Sequence, residues 1–410
     1  MSAASVSRRR IGLSAAAVAA AGAVTNAFGY LVPVLGARRL GAGDLGALAT
    51  VLAIAAIAAV PGTGLQIAVA VHRARRPGAR TGPAGWLTAA ACTGTVALLA
   101  PVAGAVLDLP PAVVLLLAVY TGAAVLSGRW LGELQGDERF LRLALGMAVL
   151  AAGRYAGLIA GLLLGAGLTG SVLLGTAVAV LVPPVLAVLT PAPATASGHP
   201  GVTARQVVTA CSATLAMLVV SYADVILARD LLPAATSGAY AVGTVLTKGA
   251  LWAPQVVTVL ALPRLAQGSG RALAVAAGLV TGCGTALVAA SWLAGGLAFR
   301  LAGGGDYVGL GRYAPVFAAT GALYALLFVL VNAQVAAGAR WPSVPLWAGT
   351  VALVVLTRWL VPHTLPAIMW SAAGTAALAL ALTAALTARG TRNARPPGGG
   401  RSPGDSGTTI

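Results

Sequence analysis

Apolar residues run along this chain in long unbroken stretches rather than in alternation with polar ones. Twelve such stretches are legible, at residues 11–35, 45–71, 85–106, 111–127, 141–168, 170–189, 207–228, 239–262, 272–297, 314–337, 342–361 and 367–386. Most come near the roughly 20 residues that a helix needs to cross the hydrocarbon layer. Because no period of two runs through them, the pattern predicts membrane helices and not the strands of a barrel. Ala, Gly and Leu dominate the stretches, as expected where spans pack closely on one another. Two polar segments interrupt the pattern. Residues 191–206 (PAPATASGHPGVTARQ) divide the chain into two sets of six stretches, and residues 389–410, rich in Gly, Pro, Ser and Arg, read as a disordered tail.

The prediction is therefore an all-α polytopic membrane protein of about twelve transmembrane helices. Residues 1–10 form a cytoplasmic N-terminus, 11–190 one six-helix bundle, 191–206 a cytoplasmic linker, 207–388 a second bundle and 389–410 a cytoplasmic tail. Composition agrees: the 410 residues are 59% apolar and 9% charged, with a mean hydropathy of +0.91. A soluble domain carries about a quarter charged residues, so an ordinary cytosolic enzyme is excluded.

The formal charge of +17 changes this picture only through its placement. With the N-terminus inside, 18 of the 26 basic residues flank the inner ends of stretches and 6 the outer ends, while Arg154 and Lys248 fall within stretches. Such a bias places both termini in the cytoplasm and makes the number of spans even. Nucleic acid is not an expected partner. Ser7-Arg8-Arg9-Arg10 before an Ala-rich run resembles a twin-arginine export signal, but the apolar run of about 25 residues exceeds a signal core, so a retained first helix is the reading. Cys92, Cys211 and Cys283 lack metal spacing and are expected to be buried, inert thiols.

The halves can be aligned at an offset of 192 residues, which places the hairpin 40–48 on 232–240 and Val71-His72 on Pro263-Arg264. Each hairpin joins the first and second stretches of its half. Six is even, so the repeat is parallel, about an axis along the membrane normal. Transporters built this way carry the substrate between the halves.

Short motifs in the same hairpins carry a resemblance. Residues 37–46 (ARRLGAGDLG) look like the R-x-L-G-P-x-D-Y-G signature after the first span of bacterial polysaccharide flippases, with Ala42 in place of Pro and Leu45 in place of Tyr. Tyr222–Ala228, Gly238–Ala241 and Lys248 resemble their segment at the seventh and eighth spans, Leu262-Pro263-Arg264-Leu265 their F-P-R-L, and Gln135-Gly136 their Q-G. These are the O-antigen and teichoic-acid exporters of the multidrug/oligosaccharidyl-lipid/polysaccharide exporter superfamily, whose members often carry fourteen spans. The resemblance implies a flippase in a bacterial plasma membrane, for a polyprenyl-linked oligosaccharide or related envelope glycolipid. Its expected partners are that lipid-linked glycan, membrane lipid, a coupling ion and the enzymes of envelope polysaccharide assembly.

Ionisable groups inside a membrane are costly and mark function by default. Lys248 is the only lysine in the chain and lies roughly 14 Å from the outer end of its stretch at about 1.5 Å per residue. Two readings stay open for it: a cation facing the chamber between the halves, or a structural pair with Asp224 on the preceding stretch. Arg154, mid-way along the fifth stretch, is too far from either interface to snorkel. It is a candidate contact for a lipid phosphate or a partner for helix-end carbonyls. Beside it, Gly153, Gly157, Gly161 and Gly165 form a ladder for close helix approach, or a sliding surface. Asn26 and Tyr30 in the first stretch, Gln66 in the second and Asn332 in the tenth are uncharged candidates for sugar hydroxyls, with interhelical hydrogen bonding the alternative for each. Pro61 and Gly62 are expected to bend the second stretch. Glu133, Asp137 and Glu138 stand among Arg129, Arg139 and Arg142 and are expected to form surface pairs. Arg73, Arg75, Arg76 and Arg80 set topology and are placed to hold anionic head groups.

Absences narrow the function. No G-x-x-x-x-G-K-[ST] occurs, so this chain has no site for ATP hydrolysis. His72, His199 and His363 are scattered and no paired carboxylates accompany them, so neither metal, cofactor nor enzymatic chemistry is expected. The leading expectation is translocation by alternating access. An ion-coupled small-molecule exporter and a non-transporting enzyme or scaffold of envelope synthesis are the alternatives. A major-facilitator type is disfavoured because residues 72–80 hold no acid.

Overall fold

The computed structural model describes residues 3–40, 42–77, 79–107, 109–191, 201–252, 255–303 and 305–393. Some side chains inside the helices, those of Asn26 and Tyr30 included, are outside the described set, as are most of the expected linker and tail. The described chain is helical throughout, in fourteen α-helices: α1 (Ala3–Arg39), α2 (Ala42–Ala58), α3 (Val60–Arg75), α4 (Ala84–Leu107), α5 (Pro111–Gly136), α6 (Phe140–Leu163), α7 (Gly167–Leu189), α8 (Ala204–Leu231), α9 (Ala234–Trp252), α10 (Gln255–Ala266), α11 (Gly270–Gly303), α12 (Ala314–Ala337), α13 (Val344–Val355) and α14 (Leu365–Asn393). Ten continuous apolar segments are long enough to cross a membrane, and two shorter ones, within Ala16–Gly29 and Val344–Leu360, bring the set to the expected twelve.

The second stretch is built from two helices, α2 and α3, close to the bend expected at Pro61 and Gly62, and the eighth is described over α9 and α10. Ala59 separates the first pair, and Pro61 stands in the first turn of α3, where its missing N–H costs nothing. The second pair flanks Ala253 and Pro254, which lie outside the described residues. Hairpins α1–α2 and α8–α9 match in register: Arg39 and Leu231 end the first helix of each half, and Ala42 and Ala234 begin the next.

Within the first half, α6 packs along α7 and α1, and α5 along α3, α4 and α7; in the second, α12 is central, against α9, α11 and α14. Gly157 and Gly161 of the glycine ladder have the close-approach role, whereas Gly165 lies past the end of α6 at φ 70° with open space around it. A Cβ on Gly157 would collide with the Leu174 carbonyl of α7, and one on Gly161 with the backbone of Ser171. α8 starts on a capping box, the Thr203 amide donating to Gln206 Oε1 at 2.9 Å while the Gln206 amide donates to Thr203 Oγ1 at 3.4 Å. Each half has its own apolar core, and a further cluster joins them. That cluster sets Leu65, Ile67 and Val69 of α3 against Val207 and Ala210 of α8 and Leu262 of α10. The cysteine expectation needs correcting: Cys283 is exposed on α11 and Cys92 and Cys211 are only half-buried.

Candidate functional site

The turns after α3, α5, α10 and α12 meet at one end of the bundle, which carries most of the arginines. There α3, the second leg of its span, touches α8 and α10 of the other half, and α10 also reaches α5. The first legs behave differently. Among the described residues, α2 packs mainly on α1, α3, α4, α5 and α7, and α9 mainly on α8, α11, α12 and α14, each chiefly against its own half. Both halves therefore close on each other at the arginine-rich end and part toward the opposite end.

Polar side chains finish the closed end. Arg75, in the last turn of α3, donates from Nε to the Ala266 carbonyl at 3.2 Å and from Nη2 to the Ala336 carbonyl. Those are carbonyls at the C-termini of α10 and α12, where orphan acceptors and the negative end of the helix dipole favour a cation. Gln66 Nε2 donates to Gln135 Oε1 at 2.8 Å, and Gln135 Nε2 donates across the seam to the Val259 carbonyl of α10 at 3.1 Å. Arg264 lies 3.8 Å from Glu138. Gly64 meets Cys211 so closely that a Cβ would stand 2.7 Å from the Cys211 amide nitrogen. Gln66 is thus part of the seal between the halves.

Of the three acids expected in surface pairs, Glu138 pairs at an exposed place, with Arg264, whereas Asp137 and Glu133 are paired inside. Arg73, 4% exposed, grips Asp137 with Nε–Oδ1 at 3.0 Å and Nη2–Oδ2 at 2.5 Å, and its Nη1 donates to the Ala79 carbonyl at 2.8 Å. Glu133 is buried, accepting from Thr81 Oγ1 at 2.7 Å and from Arg129 at 3.3 Å. Burial of the turn that follows α3 makes these pairs internal. Sequence reasoning assigned Arg73 to topology because nothing local marks a partner 64 residues away.

A second polar group flanks the parted end. Asp224 of α8, 1% exposed, accepts from the Tyr240 hydroxyl of α9 at 3.0 Å and from the Val225 amide at 2.9 Å. Lys248 of α9 does not reach it directly. Its ammonium donates to the Ser221 carbonyl and lies 3.4 Å from the centroid of the half-exposed Tyr222 ring. Asp224 and Lys248 still feel one another electrostatically, as do Asp224 and Tyr324 of α12, whose buried hydroxyl has no hydrogen-bond partner among the described residues. Sequence reading did not single out Tyr240 for this carboxylate or Tyr324. Spacing on neighbouring helices gives Tyr240 away only once the hairpin register is known.

In the first half, Arg154 interacts with the hydroxyls of Tyr120 and Tyr155, and the Tyr155 hydroxyl abuts Gly29 of α1. Asn332 is buried and donates to the Phe328 carbonyl of its own helix at 2.8 Å. Asn26 and Tyr30 fall among the side chains outside the described set. The described candidate residues therefore divide into four places: Gln66 in the seal, Asp224 and Lys248 together in the second half, Asn332 within α12, and Arg154 apart in the first half. Among the described residues no cluster of His, Cys, Asp or Glu could hold a metal ion.

Helical bundles closed on each other at one end are an architecture found among membrane transporters. Solved structures share this fold. The chain matches a multidrug resistance MATE family transporter of the MOP superfamily in an outward-facing conformation, with TM-score 0.71 and 14% identity over 93% of this chain and 96% of that one. It matches a MATE protein in its straight conformation with TM-score 0.73 and 14% identity, over 93% and 96% of the two chains. A MOP superfamily transporter from Pyrococcus furiosus, described as having a binding pocket of reversed polarity, gives TM-score 0.70 and 15% identity over 91% and 94%. This chain has the MATE fold. No protein-family model and no curated protein matches the sequence. The polysaccharide-exporter branch that the hairpin motifs resemble gains no support from these neighbours.

Proposed function

We propose that this chain is an ion-coupled exporter that works by alternating access and carries a small amphipathic solute across a bacterial plasma membrane, with both termini and the 191–206 linker on the cytoplasmic side. The observation that carries the reading is the one-ended seam: cross-half bonds at the arginine-rich end, and first legs α2 and α9 that keep chiefly to their own halves. The neighbours, multidrug transporters among them, favour a small solute over a lipid-linked glycan. Asp224 is the candidate coupling group. A buried carboxylate between a tyrosine hydroxyl and a nearby ammonium, with the unpartnered Tyr324 hydroxyl close by, suits reversible binding of a proton or a small cation. One charge crossing the membrane contributes about 2.3 kcal/mol per 100 mV, enough to bias the cycle. Arg154 and Lys248 place one cation in each half, which favours an anionic solute.

Reconstituted vesicles under an imposed pH or Na+ gradient test this. A fluorescent organic anion is expected to move only with the gradient, faster than a matched organic cation, and Asp224→Asn is expected to cut gradient-driven movement at least tenfold while leaving the protein folded. Gradient-independent movement, or full activity of Asp224→Asn, overturns the coupling role. Export of polyprenyl-linked glycan is the second reading, favoured by the hairpin motifs at 37–46 and 222–264. Translocation of a lipid-linked oligosaccharide, with neither dye transported, would select it and would bring assembly enzymes in as partners.

A further inference from the structure

A groove of about 580 Å3 runs between α10 and α11 and shares only Arg264 with the polar groups described above. Val257 and Leu260 form one wall, Val275 and Leu279 the other, and Arg264, Ser269 and Arg271 stand together where the two helices join. Val275 and Leu279 are 54% and 53% exposed, so the trough opens outward along an apolar face. Ser269 Oγ accepts from the Ala272 amide at 3.2 Å, fixing the turn. Among the described residues Arg271 has no hydrogen bond or ion pair, and Arg264 has only the 3.8 Å contact with Glu138.

We propose that this groove is a binding site for an anionic phospholipid, its phosphate held by Arg264 and Arg271 and one acyl chain laid along the wall between α10 and α11. The two features suit this occupant jointly. Guanidinium groups match the geometry of phosphate oxygens, and basic residues at the end of a span draw anionic head groups. A free anion would leave the apolar walls uncovered, whereas a zwitterionic lipid would bring its own cation against the arginine pair. The volume falls within the roughly 300–1,000 Å3 of small-molecule sites. This site meets the seam at Arg264, and the proposal does not depend on which solute the protein carries.

The test is lipid retention by the full-length protein in detergent, read by native mass spectrometry. Wild type is expected to keep one phosphatidylglycerol per chain at least tenfold more readily than phosphatidylcholine of the same chain length. Arg271→Gln, alone and with Arg264→Gln, is expected to lower that retention at least tenfold. Val275→Trp, a groove-filling change at an exposed position, is expected to lower it similarly with helical content and melting unchanged. Retention unchanged in the double variant overturns the proposal. So does retention unaffected by Val275→Trp, which would mean surface attraction of the head group alone, or full displacement of the lipid by inorganic phosphate.

Discussion

At the arginine-rich end the halves exchange bonds through Arg75, Gln135 and Arg264, whereas at the opposite end the described polar contacts stay in one half. There Arg358 pairs with Asp230 and Arg229 donates to Ser237, all within the second half. A further division runs through the arginine-rich end itself. Pairs inside the first half, Arg73 with Asp137 and Thr81 with Glu133, are buried, whereas Arg264 and Glu138, which meet across the seam, are 53% and 35% exposed. Burial makes a pair costly to break, and exposure makes it easy to exchange with water. The frame of each half is thus built to persist while the seam is built to part.

The largest effect should come from the frame. Arg73→Ala leaves Asp137 without its bidentate partner in a site where Arg73 is 4% and Asp137 14% exposed. Breaking a buried pair from one side costs about 3–5 kcal/mol. Thermal unfolding should show this as a marked loss of stability. Spin labels at the exposed positions Arg139 and Arg340, one on each half in a cysteine-free background, should report an unchanged separation in the protein that remains folded. A stable variant with its labels moved apart would mean that Arg73 serves the seam, and the division drawn above would fail.

Gly64→Ala addresses the seam directly. Its new Cβ would stand 2.7 Å from the Cys211 amide nitrogen, and backbone on both sides leaves no flexible side chain to yield. Overpacking costs about 1–3 kcal/mol, and here it falls on the closed end alone, because α3 and α8 belong to different halves. At about 1.4 kcal/mol per factor of ten, the label separation should shift toward a parted end in a large share of molecules, with little change in melting. Melting lowered without a change in separation would place this contact in the frame.

Much of the frame could be read in advance. All twelve stretches, the paired hairpins and the glycine ladder follow from hydropathy, an offset of 192 and a four-residue spacing, which are local or periodic signals. What stayed hidden is pairing between distant segments. Arg73 and Asp137 lie 64 residues apart, and Gln66 reaches Gln135 from 69 away. The break at Ala59 was legible as a bend at Pro61 and Gly62, yet that the two legs serve different neighbours depends on packing. Asp224 and Lys248 were singled out together because charge in an apolar stretch is rare. Their separate partners, Tyr240 and the Ser221 carbonyl, follow from the side on which α9 meets α8.

The smallest and most informative effect concerns Arg75. Its guanidinium ties two helix ends of the second half, Ala266 of α10 and Ala336 of α12, to the last turn of α3. Arg75→Gln keeps a donor but loses the charge and the fork, so one helix end returns to water and neither is left buried without a partner. Because the residue is exposed and water replaces what is lost, the net cost should be near the lower range for a hydrogen bond, about 1 kcal/mol. That is roughly a fivefold change in the ratio of closed to parted ends, on a scale where 1.4 kcal/mol is tenfold. It should appear as a second, longer separation between labels on Arg139 and Arg340, grow when Gln135→Ala removes the neighbouring cross-half bond, and leave melting within about 1 kcal/mol of wild type. If the separation stays single in both variants, apolar contact among Leu65, Val207 and Leu262 holds the end shut and the polar bonds only decorate it.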